Sequence, residues 1–479
     1  MTAITQIGVP GRAVVEAAFE KLKTAQARKP NPSAAEREDR LDRLEAMLVK
    51  RKREFVRAVS DDFGHRSAHE TMLADVALTI DSIREARRSV RHWMKPERAA
   101  PSRYFIPSSA FVEYLPKGVV GIIAPWNYPV NLALAPTAAA LAAGNRVLIK
   151  PSELTPRTSA LLDDAIRETF TAEEVAVVEG GPEIARAVTK LPLDHLLFTG
   201  STEIGKIVGQ AALSNLVPVT LELGGKSPAL VHADYDIDTA AERIALGKLF
   251  NAGQTCIAPD YALVGESNVR AFADAFFRTV ERAYLGIADY TSIVSERHQA
   301  RLSALVEDAR TKGARIETAA FPAMARARTM APTLILDATD DMRVMQEEIF
   351  GPILPVKPYA ALDEAIAYIG SKPRPLAFYY FDNLAKRRAD VLARVVSGGA
   401  CINDTLVHFA QERLPFGGVG ASGMGAYHGR AGFLAFSHAR GVLVASRWST
   451  ARRIQAPPYG RALDVALDFL TSRFGRWLG

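Results

Sequence analysis

From Val112 onward the sequence is written in short apolar runs separated by Gly, Pro and Asn, with helical stretches between them. Val119-Val120-Gly121-Ile122-Ile123-Ala124 reads as a buried strand, followed by a Pro-containing loop and an Ala-rich helix ending at Gly144. Arg146–Lys150 is a second strand, 155–170 a helix, and 175–179 and 195–198 are further strands. Short continuous apolar runs suit strands buried on both faces, and their alternation with helices predicts a parallel, doubly wound sheet. The alternation resumes after Gly225, with a strand at 228–231 and a helix at 238–250. The fold class is therefore α/β, with two doubly wound parallel-sheet units meeting near Glu222. Upstream, residues 32–94 are charge-rich, with Leu41, Leu44, Leu48, Phe55 and Val59 at helical intervals, and read as helices lying on something larger.

The overall balance excludes several classes. Lys and Arg number 59 against 53 Asp and Glu, a surplus of +6 spread thinly over 479 residues, so no nucleic-acid partner is expected. With 48% hydrophobic and 23% charged residues, the chain is neither fibrous nor disordered. Its two cysteines, Cys256 and Cys401, are too few for a disulfide framework or a Cys-rich zinc site, and the chain reads as cytoplasmic. Residues 1–10 lack the basic start and apolar stretch of a secretory signal. The segment 118–145 carries no charge, but Pro125, Pro129 and Pro136 spoil it as a spanning helix, so no stable membrane span is expected. Near the other end Leu463, Leu467, Leu470 and Phe474 recur at helical spacing among Asp464, Asp468, Arg473 and Arg476. That amphipathic tail suits packing on its own or a partner subunit, an entrance helix, or a membrane surface. The absence of H-E-x-x-H and of G-x-S-x-G argues against metal-dependent and serine-hydrolase chemistry, and no metal is expected.

The motifs that remain are more informative. Gly418-Val419-Gly420-Ala421-Ser422-Gly423 matches G-x-G-x-x-G, yet no strand precedes it and more glycines follow, so a folded-back loop is expected. A better nucleotide candidate is 198–205, where Gly200-Ser201 follows an apolar strand and opens a helix. Free N–H groups there suit a phosphate, although Ser also caps helices with no ligand present. Lys150 ends a strand and Glu153 follows, a pair able to bind ribose hydroxyls or to remain solvated surface charges. Cys256, after the Gly253-Gln254 turn, is placed to present its sulfur to a cleft with backbone N–H groups close by, whereas Cys401 reads as packing. Glu222 stands between leucines before Gly224-Gly225; it is either a base with a raised pKa or one half of an ion pair. Asn127, in Pro125-Trp126-Asn127-Tyr128-Pro129, offers an amide to an oxyanion or to its own loop.

Taken in order, Pro125-Trp126-Asn127, Lys150-Pro151-Ser152-Glu153, Phe198-Thr199-Gly200-Ser201, Leu221-Glu222-Leu223-Gly224-Gly225 and Gly253-Gln254-Thr255-Cys256 resemble the aldehyde dehydrogenase superfamily. Glu347-Glu348-Ile349-Phe350-Gly351-Pro352 and Pro415-Phe416-Gly417-Gly418 extend the likeness to about Ser446. Asn403-Asp404-Thr405 and 422–429 look like the class-3 branch, and 124–130 is most like its bacterial coniferyl-type members.

The resemblance implies that Cys256 is the nucleophile, Glu222 the base, and Asn127 the oxyanion donor alongside the Cys256 N–H. It implies that Lys150 and Glu153 hold the adenosine ribose, that Gly200 and Ser201 lie by the pyrophosphate, and that Gly205 lets the nucleotide-side helix pack closely. Glu348 and Phe350 would position the nicotinamide ribose and ring, with Trp126 also on the cofactor side. The cofactor implied is NAD, since Glu153 would repel a 2′-phosphate, with NADP as the alternative. The implied reaction oxidises a small-molecule aldehyde, of aromatic, coniferyl or fatty type, to the acid through a thiohemiacetal and a thioester. An acylating, coenzyme A-dependent enzyme and a non-catalytic nucleotide-binding structural protein are the competing readings. Tyr128, His408 and Phe409 are candidates for the substrate entrance.

The expected division is 1–97 with 118–221 for the nucleotide, 222–424 for catalysis, 98–117 with 425–446 as a bridging arm, and 447–479 as the tail. Within the arm, 104–106 and 111–114 read as a hairpin across 107–109. The resemblance implies that this arm joins two subunits in a homodimer.

Overall fold

The computed structural model describes residues 10–102, 105–284, 287–320, 326–448 and 456–472. They form two compact units, the larger from residues up to 93 together with 116–437, the smaller from 94–115 together with 438 onward.

In the larger unit the charge-rich N-terminal segment is helical. Helix α1 (Pro10–Arg28) precedes α2 (Ala34–Phe63), which opens on a capping box in which Ser33 and Glu36 satisfy each other's backbone N–H groups. After α3 (Ala68–Thr71) comes a π-helical turn, Met72–Ala77, leading into α4 (Leu78–Trp93). Beyond them lies a six-stranded sheet. Strand β3 (Val119–Ile123) pairs in parallel with β4 (Arg146–Lys150) and β6 (His195–Gly200). β5 (Val175–Val177) extends the β4 side, and β7 (Val219–Leu223) the β6 side. Helices α5 (Asn131–Ala142), α6 (Pro156–Thr169), α7 (Pro182–Thr189) and α8 (Thr202–Leu213) connect these strands. Every side chain of β3 and β4 is buried, which is why both read as unbroken apolar runs. Val15, Phe19 and Leu22 of α1 join the core beneath the sheet with Leu148, Leu196 and Phe198. Each such large apolar side chain contributes about 1.5–3 kcal/mol by burial. Pro136 lies inside α5 rather than ending it.

The chain then crosses at 224–227 from β7 into a second sheet of seven strands. Its order is β10-β11-β12-β9-β8-β13-β14, comprising β8 (Pro228–Val231), β9 (Tyr261–Gly265), β10 (Arg315–Thr318), β11 (Thr333–Leu336), β12 (Ile353–Tyr359), β13 (Ala377–Phe381) and β14 (Gly399–Ile402). All neighbours are parallel except β10. Helix α9 (Ile237–Leu249) leads from this sheet towards Cys256. The Gly-rich run 418–423 does fold back: Ser422 Oγ accepts from Val419 N at 2.9 Å, and β15 (Gly423–Met424) pairs antiparallel with β7, Gly423 opposite Glu222.

The smaller unit is a three-stranded sheet, β1 (Glu97–Ala99), β2 (Ser109–Pro116) and β16 (Ser437–Val444), in that order. The expected hairpin is corrected here. Val112 pairs with Glu97 and Phe111 with Arg98, while Phe105–Ser108 forms a turn in which Ser108 N donates to Phe105 O at 2.7 Å. Pro107 lacks an N–H for a ladder, which suits the turn rather than the strand. Tyr104 lies outside the described residues. The expected arm boundary also moves. Residues 425–437 belong to the larger unit, where Phe433 of the helix Gly429–Ala435 packs on Trp93 with ring centroids 5.6 Å apart. The tail forms the helix Arg461–Thr471, with Val465, Leu467 and Phe469 exposed; Phe474, Arg473 and Arg476 lie outside the described residues. No helix among the described residues is long and apolar enough to cross a membrane.

The folded-back loop gives a direct test of its packing. A Cβ at Gly418 would stand 2.0 Å from the Ser422 carbonyl oxygen, a backbone atom that cannot swing aside. Gly418→Ala is expected to destabilise the protein by about 1–3 kcal/mol, read as a lowered Tm in a thermal melt.

Candidate active site

The turn after α9 is built from left-handed backbone. Asn251, Ala252 and Gly253 have φ of 53°, 51° and 75°, which reverses the chain and delivers Cys256 five residues after Asn251. Such backbone is strained for Asn and especially Ala, and it persists where surrounding bonds over-determine it. Here Asn251 N donates to Glu70 Oε1 at 3.1 Å. Asn251 Nδ2 donates to the carbonyls of Asn127 and Gln254, each at 3.1 Å. Gln254 in turn donates to Asn251 O and Ser292 O and accepts from Val294 N.

Three of the expected site residues converge on this turn. Cys256 is a partly buried free thiol. Burial pushes its pKa well up, and the carboxyls of Glu348 and Glu222 push the same way, while its own N–H and that of Ile257 act in the opposite sense. Asn127 is buried on the loop after β3, and its Nδ2 donates to Gln254 O at 3.2 Å, using one of the two amide hydrogens. Glu222, on β7, is buried, and among the described residues neither carboxylate oxygen has a hydrogen-bond or ion-pair partner. Burial alone raises its pKa well above the usual carboxylate range.

The remaining candidates lie along the carboxyl ends of β4 and β6 and beside Gly224. Lys150 is buried at the end of β4, and its Nζ meets Glu153 Oε2 at 2.6 Å. Partial burial raises the Glu153 pKa, but the Lys150 hydrogen bond, a backbone N–H and the Lys150 charge together outweigh it and hold the carboxyl below its usual range. Gly200 ends β6, and a Cβ there would stand 2.5 Å from the Phe198 ring. Ser201 caps α8, accepting from Ile204 N at 3.4 Å. A Cβ at Gly205 would meet Leu223 at 2.4 Å, which marks how closely α8 lies on β7. The Glu348 carboxyl packs so tightly on Gly224 that a Cβ there would overlap it. Its pKa rises to about 8 through burial and the Asp260 carboxylate, against the Gly225 N–H, Lys226 and Arg301. Phe350, with φ 55°, sets its ring edge-on to Trp126 at 5.3 Å, and Trp126 also meets His298 at 5.1 Å.

Buried aromatic side chains lie beside these residues. Tyr427 is fully buried, its hydroxyl lacks a hydrogen-bond partner, and the charges of Glu222 and Cys256 act on it. It belongs to an aromatic cluster with Phe416, Phe409 and His428, in which Phe409 lies 4.8 Å from both Phe416 and His428. Tyr379 joins His408 at 5.8 Å and donates its hydroxyl to the Ile257 carbonyl, tying these rings to the residue after Cys256. Tyr128 is buried with its hydroxyl 2.6 Å from Thr255 Oγ1. Cys401 is partly exposed on β14, not fully packed away.

A thiol beside a buried carboxyl, between the carboxyl end of β7 and the segment leading into β9, is chemically able to form a covalent bond to an electrophilic substrate. The aldehyde dehydrogenase family model matches residues 2–442, and the chain belongs to that family, whose activity is the NAD(P)-dependent oxidation of aldehydes. A probable coniferyl aldehyde dehydrogenase of Pseudomonas aeruginosa is 48% identical over 94% of each chain. The coniferyl aldehyde dehydrogenase of a Pseudomonas species is 44% identical, covering 97% of this chain and 98% of the other. Among solved structures, the substrate-bound Staphylococcus aureus AldH superposes with TM-score 0.90 at 38% identity, over 95% of this chain and 99% of that one. The Mycobacterium tuberculosis aldehyde dehydrogenase complexed with NAD+ gives 0.84 at 27%, over 91% of each.

The raised Glu222 pKa fixes the sign of a pH effect. The carboxyl stays protonated above the ordinary carboxylate range and becomes a base only as pH rises through its shifted value. Turnover is therefore expected to climb with pH in that interval, and Glu222→Gln to remove the climb along with most of the activity, as read from kcat against pH.

Proposed function

We propose that this chain oxidises an aromatic aldehyde of the coniferyl type to its carboxylate, with NAD as acceptor and Cys256 as covalent nucleophile. The observation that carries the chemistry is Glu222, a buried carboxyl with no hydrogen-bond partner among the described residues, whose charge bears on the Cys256 thiol. The substrate class is supported by relatives named for coniferyl aldehyde and by the ring cluster that Tyr379 ties to the Cys256 segment.

The residues present fit a dinucleotide, because the Glu348 carboxyl keeps an unpartnered buried oxygen beside Gly224 and Lys150 is held ready by Glu153. Lys150 and Glu153 would hold the adenosine ribose, and Gly200 and Ser201 the pyrophosphate at the α8 N-terminus. Gly205 would keep that helix close to the sheet, while Glu348, Phe350 and Trp126 would position the nicotinamide end. When bound, the dinucleotide supplies the hydride acceptor. The ionised Glu153 would repel a 2′-phosphate, which favours NAD over NADP.

Cys256 Sγ forms a bond to the aldehyde carbon as its proton passes to Glu222, and the carbonyl oxygen becomes an oxyanion. Asn127 Nδ2 and the Cys256 N–H donate to that oxygen. Loss of hydride from the carbon leaves a thioester on Cys256. Glu222 passes the thiol's proton to solvent and then takes a proton from water, whose oxygen attacks the thioester carbon. The C–S bond breaks, the acid leaves, and Glu222 returns its proton to the Cys256 sulfur. A coenzyme A acceptor would not need Glu222 in this role.

The chain is further proposed to act as a homodimer in a reducing, cytoplasmic setting. β16 stands at the edge of its sheet with Leu443 and Val444 exposed, and both cysteines are free thiols. The functional test is kcat/KM for coniferyl, benzyl and long-chain aldehydes, with coniferyl aldehyde expected highest; a preference for long chains would overturn the substrate class. Cys256→Ala should abolish NADH formation while still binding NAD, and Asn127→Ala should slow turnover by about 10²–10³. Retained turnover in Cys256→Ala would remove the nucleophile assignment.

A further inference from the structure

The loop carrying Asn127 rests on two buried ionic side chains that lie outside every motif named above. Arg66, between α2 and α3, is 1% exposed, and its Nη1 donates to the Asn127 carbonyl at 2.9 Å. The same nitrogen lies 3.1 Å from Asp75 Oδ2. Asp75, also fully buried, accepts at Oδ1 from the N–H groups of Val130 and Asn131, each at 3.1 Å. The Arg66 guanidinium further faces the rings of Tyr128 at 4.8 Å and Phe63 at 5.2 Å. Asn251 Nδ2 supplies a second donor to the Asn127 carbonyl, so this one oxygen ties the loop to both the ion pair and the Cys256 turn.

Two features argue that this arrangement serves the loop rather than stability alone. A buried ion pair is a poor source of stability, because desolvation offsets its attraction and a well-packed apolar pair often does as well. Arg66 even leaves Nε and Nη2 without hydrogen-bond partners. In addition, Asp75 sits in the π-helical turn Met72–Ala77, a rare geometry that is often found at functional sites. That turn is itself bonded to the loop. Thr79 Oγ1 donates to the Asp75 carbonyl at 2.6 Å and accepts from Asn131 Nδ2 at 2.9 Å.

We propose that the Arg66–Asp75 pair is the positioning device for the Asn127 amide, Arg66 holding the Asn127 carbonyl and Asp75 the Val130 and Asn131 N–H groups of the same loop, so that Nδ2 is aimed at the substrate oxygen before the aldehyde arrives. The proposal rests on the reading of Asn127 as oxyanion donor. Its test is a double-variant cycle, using NADH formation from coniferyl aldehyde. Arg66→Lys keeps the charge but replaces the planar guanidinium, whose Nη1 meets both the Asn127 carbonyl and Asp75 Oδ2, with an ammonium that lacks this fixed geometry. It should lower kcat by about ten- to a hundredfold, with KM for NAD unchanged. In an Asn127→Ala background the same substitution should cost almost nothing further. Asp75→Asn is the second entry to the cycle and should behave alike if Arg66→Lys folds poorly. Multiplicative losses in the double variants, or a fall in Tm with kcat per folded molecule unchanged, would overturn the proposal. Wild-type kcat in Asn127→Ala alone would remove the oxyanion reading first, and this proposal with it.

Discussion

The Asn127 carbonyl is the point at which the rest of the site is held. It accepts from Asn251 on the cysteine turn and from Arg66 on the helical layer, so one oxygen couples the six-stranded sheet, the N-terminal helices and the approach to Cys256. Without such bonds three successive left-handed residues before Cys256 would be costly to maintain. The strain is local, and its compensation comes from groups more than a hundred residues distant in sequence, the Asn127 carbonyl and the Glu70 carboxylate among them.

Electrostatics follow from the same enclosure. Burial keeps the Cys256 thiol, Glu222 and Glu348 towards their neutral forms, so the resting site avoids three neighbouring anions. A base whose charged form is disfavoured is also a stronger base once ionised. In the proposed reaction Glu222 thereby suits two proton transfers, from the thiol and from water. The Lys150–Glu153 pair shows the opposite arrangement, in which a hydrogen-bonded, more exposed carboxyl is held ionised.

The core strands were legible because they are buried on both faces, as the all-buried β3 and β4 show, and so appear as plain apolar runs. The small sheet was harder to read. Glu97–Ala99 is exposed throughout and has no apolar pattern, while the more hydrophobic 105–108 segment is a turn. At the site, Asn127, Glu222 and Cys256 sit in contiguous motifs with Gly or Pro beside them, and chemistry could be read from each. Arg66 and Glu70 meet their partners across 61 and 181 residues, and Asp75 reaches its loop from a π turn that shifts its helical face. No window of sequence contains both halves of those contacts. Tyr427 was quoted within a family motif, yet its proximity to Glu222 and Cys256 emerges only when β15 folds back on β7.

The account turns on a covalent acyl group carried by Cys256 and released through Glu222. The most direct measurement is mass spectrometry of the Glu222→Gln protein after mixing with NAD and coniferyl aldehyde. The expected result is an acyl mass on the peptide containing Cys256, formed together with one equivalent of NADH and slow to disappear. A full equivalent of NADH with Cys256 unmodified throughout the time course, or an adduct confined to Cys401, would contradict it.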